Sequence, residues 1–278
     1  MKEINKESEE IIFLSSDNDL FLDELPKFEK IRGYCNKVII GLVATPSCEK
    51  SSALKRIKLA EKSKVDFYFT HCSNEFTENY EFFKDHINSK IPLFNVRLAA
   101  DCFNFYPIPG QKKIYDFVFL ASSNEDKRER YYSYLASIFS KYKGLINGPG
   151  WPFSRYIIEK IYHNYLYSLS RIGINLHIRQ SIDYPTELNE RTYTLACAGI
   201  PQIVDKAKLI SSEFPKSSLF VASSPKEYKE LFEYIIKNPN EAKKYAEKAR
   251  NHTLKNNTIF HSMDNLVTNL INHKIIKT

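Results

Sequence analysis

Glycine is scarce in this chain, with 8 among 278 residues. Each is therefore read as a place where the backbone demands one, as at Gly148, Gly150 and Gly199. Cysteine is also thin. Cys35, Cys48, Cys72, Cys102 and Cys197 are odd in number and far apart, and no CxxC occurs. That pattern supports neither a zinc site nor a disulfide framework, so reduced thiols in a cytosolic protein are expected. No apolar run approaches the ~20 residues of a membrane-spanning helix. The opening MKEINKESEE is polar and acidic and does not read as a signal peptide. No internal repeat or low-complexity tract interrupts the sequence.

What is present is apolar mass. Hydrophobic residues make up 43% and aromatics 14%, enough for real cores and too much for a disordered chain. The length permits two modest domains. Net charge is +7. A basic excess favours anionic partners, whether nucleic acid, sugar nucleotide or membrane surface, and equally describes a Lys-rich solvated surface. The cations are spread out and mixed with acids instead of clustering with aromatics, so no nucleic-acid partner is expected.

The order of elements carries more. IIFLSS (11–16), KVIIGLVAT (37–45), VDFYFTHC (65–72) and PLFNVRL read as strands. Helical patterns separate them, including 51–64 and EFTENYEFFKDHI. FNFYPIPGQKK (103–113), with two prolines and a glycine, reads as a linker. Alternation then resumes: YDFVFLASS, a helix from Glu125 through Tyr142, KGLINGPG, a helix over 154–172, GINLHI, a helix within TELNERTYTLAC, GIPQIV and SLFVAS. A helix over 226–237 and a helical tail over 240–276, broken at 255–258, complete the chain. Such alternation signals parallel sheets with crossover helices. The expected fold is α/β, with two Rossmann-type domains whose sheets face a cleft. The expected divisions are a short domain over 1–110, a second over 111–262, and a helix over 263–278 packing back on the first.

Ligands in such sheets sit beyond the carboxyl ends of the strands. In the second domain those ends deliver Ser122, Ser123, Gly148, His177, Arg179 and the segment from Pro185 to Arg191. Ser122 and Ser123 lie ahead of a helix carrying Arg128 and Arg130, a combination suited to a diphosphate. A solvated helix start explains the same residues. NGPG is either a plain turn or a bare backbone on which a base can pack. His177 and Arg179 are expected on one face at a strand end. A helix is expected to start here with Pro185 in its first turn, and Glu187, Glu190, Arg191 and Thr194 share its broad face, although acids early in a helix also serve as caps. In the first domain, Asp17 and His71 follow strands and are the candidate general bases. Asp17-Asn18-Asp19 has DxD form, but an isolated DxD is weak, and no metal site is expected.

Together these segments resemble the CgeB-like branch of the GT-B glycosyltransferases, related to the group 1 glycosyltransferases. YDFVFLASSNEDKRERYYSYL, LINGPGW, NERTYTLACAGIPQIVD and KEYKELFEYIIKNPNEAKKYAEKARNHTLKNNT are similar to that family's segments in order and spacing, and NVRLAADCFNF resembles its interdomain link. The resemblance implies a nucleotide-sugar co-substrate held by the second domain, with no cofactor and no metal. Ser122, Ser123 and Arg128 would lie near the phosphates, Gly148 near the nucleoside, and Arg179 near phosphate or sugar. The segment from Glu187 to Thr194 would flank ribose and sugar. The family commonly has Glu where this chain has Thr194, and a Thr is shorter and neutral. The implied activity is sugar transfer to an acceptor hydroxyl in surface polysaccharide or glycoconjugate assembly. The acceptor would be a glycan or lipid-linked, and the enzyme cytoplasmic, touching the inner leaflet of an anionic membrane. The alternatives are a non-catalytic sugar-nucleotide-binding or partner subunit and a sugar-nucleotide epimerase.

Overall fold

Two sheets built wholly of parallel strands organise the chain. The computed structural model describes residues 11–15, 38–46, 53–152 and 154–276. It divides into two compact units, Met1–Arg97 with Met263–Thr278, and Leu98–Ser262.

In the first unit the strands are β1 (Ile11–Ser15), β2 (Val38–Val43), β3 (Phe67–Thr70) and β4 (Leu93–Asn95), paired in that order. Every residue of β2 is buried. A strand covered on both faces reads as a continuous apolar run, which is why VIIGLV stands out in the sequence. Alternation then sorts its side chains. Ile40 and Leu42 pack with Tyr68, Phe76 and Phe83, while Ile39 and Val43 pack with Phe67, Phe94, Leu266 and Leu270. The helices are α1 (Ala53–Lys62), α2 (Asn74–Asn79) and α3 (Glu81–Ile87). The single helix expected over EFTENYEFFKDHI is two, because Tyr80 is extended (φ −93°, ψ 128°) and stacks on Phe76 at 4.4 Å.

The second unit holds β5 (Tyr115–Leu120), β6 (Gly144–Asn147), β7 (Ser170–Asn175), β8 (Gln202–Asp205) and β9 (Phe220–Ala222), in the spatial order β6-β5-β7-β8-β9. The chain therefore winds outward in both directions from between β5 and β7, which makes that gap the switch point of a doubly wound sheet. One face packs Val118 and Leu120 with Tyr193, Leu195 and Val204. The other packs Phe117 and Phe119 with Tyr131, Leu135 and Phe232. The helices are α4 (Glu125–Arg130), α5 (Ala136–Phe139), α6 (His163–Ser168), α7 (Arg179–Asp183), α8 (Glu190–Cys197), α9 (Ile210–Glu213), α10 (Pro225–Lys237), α11 (Pro239–Asn256) and α12 (Ile259–Asn272), whose later turns belong to the first unit. A π-helical turn, Tyr131–Leu135, joins α4 to α5.

Four expectations about this unit are corrected. The stretch 103–113, read as a linker, contributes Phe105 to the core, at 2% exposure. The long helix expected over 154–172 shrinks to a 3₁₀ turn, Lys160–Tyr162, and α6. Asn147 holds the preceding stretch extended: its Nδ2 donates to Tyr156 O (2.8 Å), and Ile158 N donates to its Oδ1 (2.8 Å). Strand β7 ends at Asn175, so His177 and Arg179 do not share a strand face, and Arg179 opens α7. Finally, α8 begins at Glu190 and not near Pro185. Asn189 is its N-cap, accepting from Thr192 N at 3.1 Å. Glu187 therefore lies ahead of the helix.

Candidate functional site

A pocket of about 460 Å³ opens at the switch point. It is lined by Leu120, Ala121 and Ser122 after β5, by Asn147, Gly148 and Pro149 after β6, and by Asn189, Glu190, Arg191 and Thr194 of the α8 start. Phe105, the stretch 157–160, His163 and Tyr167 complete the wall.

Local sequence builds each side. Gly148 has φ +145°, and a Cβ there would stand 2.0 Å from Ala121 O. Only glycine lets the β6 loop lie against the β5 loop so closely. Ser123 N donates to Pro149 O (2.8 Å), and the Trp151 indole donates to Ala121 O (2.7 Å). On the α8 side, Gly199 at φ +69° ends the helix, its N–H reaching Ala196 O at 3.0 Å. Cys197 is a core residue there. Burial pushes its thiol up to about 11, which removes it as a nucleophile at neutral pH.

Arg191 is the central cation. Its Nε donates to Leu120 O (2.7 Å) and its Nη1 to Asn175 Oδ1 (3.3 Å), and its guanidinium lies 5.7 Å from the Phe119 ring centre. None of these partners carries charge. Nη2 makes no hydrogen bond to a described residue, so both of its N–H groups and the second one on Nη1 remain for a ligand. The carboxylate beside it, Glu190, is bound to Lys160 at 2.6 Å across the pocket mouth. The first backbone N–H groups of α8 add the positive end of a helix dipole.

Lys127 lies one residue from the expected Arg128 and was missed by sequence reasoning. It is 8% exposed, while Arg128 is exposed. Burial, then Arg191 and Arg130, lower the Lys127 ammonium to about 8. No described residue accepts a hydrogen bond from it. The Ser123 hydroxyl is likewise buried without a partner. Neither Lys127 nor Ser123 lines the pocket. The half-used Arg191 guanidinium is the group there that an anion completes, with Lys127 close enough to feel its charge.

Of the residues expected at the site, Ser122, Gly148, Glu190, Arg191 and Thr194 converge on the pocket. Thr194 is 4% exposed and donates to Arg191 O (3.3 Å), and it lines the pocket together with Tyr167. Burial pushes the Tyr167 phenol up to about 12. Glu187 does not line the pocket. His177 is fully buried behind it, its Nδ1 2.6 Å from Asp205 Oδ1 and its Nε2 3.1 Å from Thr192 Oγ1. Burial alone would raise the Asp205 carboxyl, but His177 and Arg130 hold it low. Arg179 is exposed and paired with Asp183 at 3.0 Å. His71, in the first unit, has Nδ1 2.7 Å from Val96 O. A carbonyl partner makes Nδ1 the protonated nitrogen and leaves the Nε2 lone pair free. Asp17 lies outside the described residues. Lys160, His163 and Tyr167 line the pocket without having been singled out, since their stretch was read as a regular helix.

The sequence profile of the family described as Glycosyl transferase-like matches residues 128–268. No curated protein matches the chain. Among solved structures, T4 phage BGT in complex with its UDP-glucose substrate aligns with a TM-score of 0.63 at 10% identity, covering 97% of this chain and 84% of that one. Anabaena HepE in complex with UDP and glucose gives 0.61 at 9%, covering 93% and 77%. Sucrose-phosphate synthase from Thermosynechococcus elongatus gives 0.58 at 12%, covering 92% and 79%. At these identities the likeness is one of fold, that of the GT-B glycosyltransferases with two Rossmann-like domains.

Proposed function

The chain belongs to the Glycosyl transferase-like family, and on that premise we propose that its switch-point pocket binds a nucleoside diphosphate sugar, with a uridine nucleotide the first to test. The observation that carries this reading is the unfinished cation of the pocket, Arg191 with Nη2 free, backed by Lys127, which lies outside the lining but close enough to feel the Arg191 charge. Both favour the diphosphate, and more so as it leaves with its full charge. Ser122 and the start of α8 supply further donors. In the reaction an acceptor hydroxyl oxygen bonds to the anomeric carbon, the anomeric carbon–phosphate oxygen bond breaks, and the nucleoside diphosphate keeps the electron pair. The hydroxyl proton passes to a base, for which His71 Nε2 is the candidate among the described residues. With cations already placed for the leaving group, no metal is needed in this scheme, and activity should survive a chelator.

The finer reading is a CgeB-like enzyme of surface polysaccharide or glycoconjugate synthesis, acting on a glycan or lipid-linked acceptor at the cytoplasmic face of an anionic membrane. Its support is the segment order of the sequence and the charge of +7. A second reading is a binding subunit without turnover. Thr194 favours it: where the resembled family commonly has a carboxylate for the ribose, this pocket has a Thr–Tyr pair. Calorimetric titration of a nucleotide-sugar panel, followed by product analysis, tests both. Binding with transfer or donor hydrolysis supports the enzyme, binding without either supports the subunit, and binding of no donor sinks both.

A further inference from the structure

A second cavity, of about 830 Å³, opens in the same unit beyond the ends of β8 and β9. It shares no lining residue with the nucleotide pocket. Its volume falls in the range of small-molecule sites.

Two properties define what it can hold. The first is charge. Lys206, Lys208 and Lys216 line it and are exposed, and none of their ammonium groups forms an ion pair with a described residue. Arg179 stands at the same cavity, already paired with Asp183. One lining residue is acidic, Asp205, and it is 3% exposed and bound to Arg130 (2.5 Å) and His177. Glu227 on α10 feels the Lys206 charge, but its hydrogen bonds are to the Ser223 N–H and hydroxyl, both at 2.6 Å. The cavity therefore presents spare positive charge. The second property is its wall, in which Tyr134, Ile182, Ile210, Phe214 and Leu219 place apolar surface below the lysines. Ser211, Ser217 and Ser223 also line the cavity and can meet a ligand's polar end, while the apolar wall is covered by a hydrocarbon body.

We propose that this cavity is a second ligand site, taking an organic phosphate whose body is apolar, an aryl or hydrocarbon phosphomonoester, separately from the nucleotide. The phosphate meets Lys206 and Lys208 at the rim, and the body lies along Phe214 and Leu219.

The probe is 2-naphthyl phosphate, titrated calorimetrically into the full chain, with 2-naphthol and inorganic phosphate as its two halves. The phosphate ester binds at least about tenfold tighter than either half, since it alone satisfies both properties. The double variant Lys206→Glu/Lys208→Glu weakens it about tenfold or more, whereas Arg191→Ala leaves it within about twofold. An ester no tighter than its halves overturns the proposal. So does the reverse pattern, loss in Arg191→Ala with retention in the double variant, because the probe would then occupy the nucleotide pocket. If the double variant does not fold, salt decides with the native chain. Added salt must weaken the ester and spare naphthol, and a salt-independent ester affinity overturns the proposal. The nucleotide reading is judged separately, by UDP titration.

Discussion

Arg130 and Arg191 are both held near the carboxyl ends of the second sheet, and they are completed differently. Arg130 is 5% exposed and meets Asp126 (2.9 Å), Asp205 (2.5 Å) and the His177 carbonyl. Its charge is answered inside the protein. Arg191 meets the Leu120 carbonyl, the Asn175 side-chain oxygen and the face of Phe119, all uncharged. Its charge is solvated by dipoles and left unanswered. The first arginine fastens α4 to the ends of β7 and β8. The second is positioned by the fold but finished by something else. Sequence gives no hint of this, since both sit next to acidic residues in helical segments.

The comparison breaks most visibly at Arg130. Arg130→Met leaves Asp205 buried without its cation, and loss of one partner of a buried pair costs about 3–5 kcal/mol. Urea unfolding should show that loss, and a variant as stable as the native chain would remove the structural role. Arg191→Ala should reverse the balance. Stability falls by about 1 kcal/mol from the lost carbonyl bond, while UDP affinity falls about thirtyfold or more. Equal effects on folding and binding would collapse the distinction.

Lys127 sharpens it further. Its ammonium sits at about 8, below the ordinary lysine value, mainly through burial. The folded state thus gives up that proton more readily than the unfolded chain. The charged group opposes folding below about 8, and the penalty disappears as pH rises toward the unfolded value of about 10.4. Lys127→Met should therefore stabilise the protein at pH 7 by about 1–2 kcal/mol while weakening UDP about tenfold. In the native chain UDP affinity should decline as pH climbs through about 8, and that decline should vanish in the variant. The smallest effect is expected at Arg128, which is exposed to solvent, whereas Lys127 is buried and feels the Arg191 charge. Arg128→Ala should change UDP affinity and melting temperature within error, and a large loss of affinity would place it back among the phosphate ligands.

The strands were legible in the sequence for a physical reason. VIIGLV and the FVFL of β5 are covered on both faces, so they appear as unbroken apolar runs, and tertiary contacts only confirm them. The pocket was half legible. Ser122, Gly148 and Arg191 follow from the rule about strand ends. Lys127 does not, because EDKRER is a string of charges in which burial, set by neighbours distant in sequence, picks out one lysine. The start of α8 was misplaced because Pro185 and Glu187 give the stronger local signal. Asn189 wins through partners on another strand: its Nδ2 donates to Asn175 Oδ1 (2.9 Å) and Leu176 O (3.1 Å). The stretch ahead of α6 has helical composition and is held extended by the single side chain of Asn147. In each case a side-chain amide from elsewhere in the fold overrode a local propensity.

The Trp151 indole, already described as joining the β6 loop to Ala121 O, is the one tryptophan of the chain. It is 3% exposed and packs against Phe119 and Tyr131, with ring centres 5.6 and 5.1 Å away. Its hydrogen-bond acceptor is a wall of the switch-point pocket. The protein thus carries its own optical gauge. Emission excited selectively from indole comes from one shielded site, and a ligand that shifts the β5 or β6 loop changes that emission without any label.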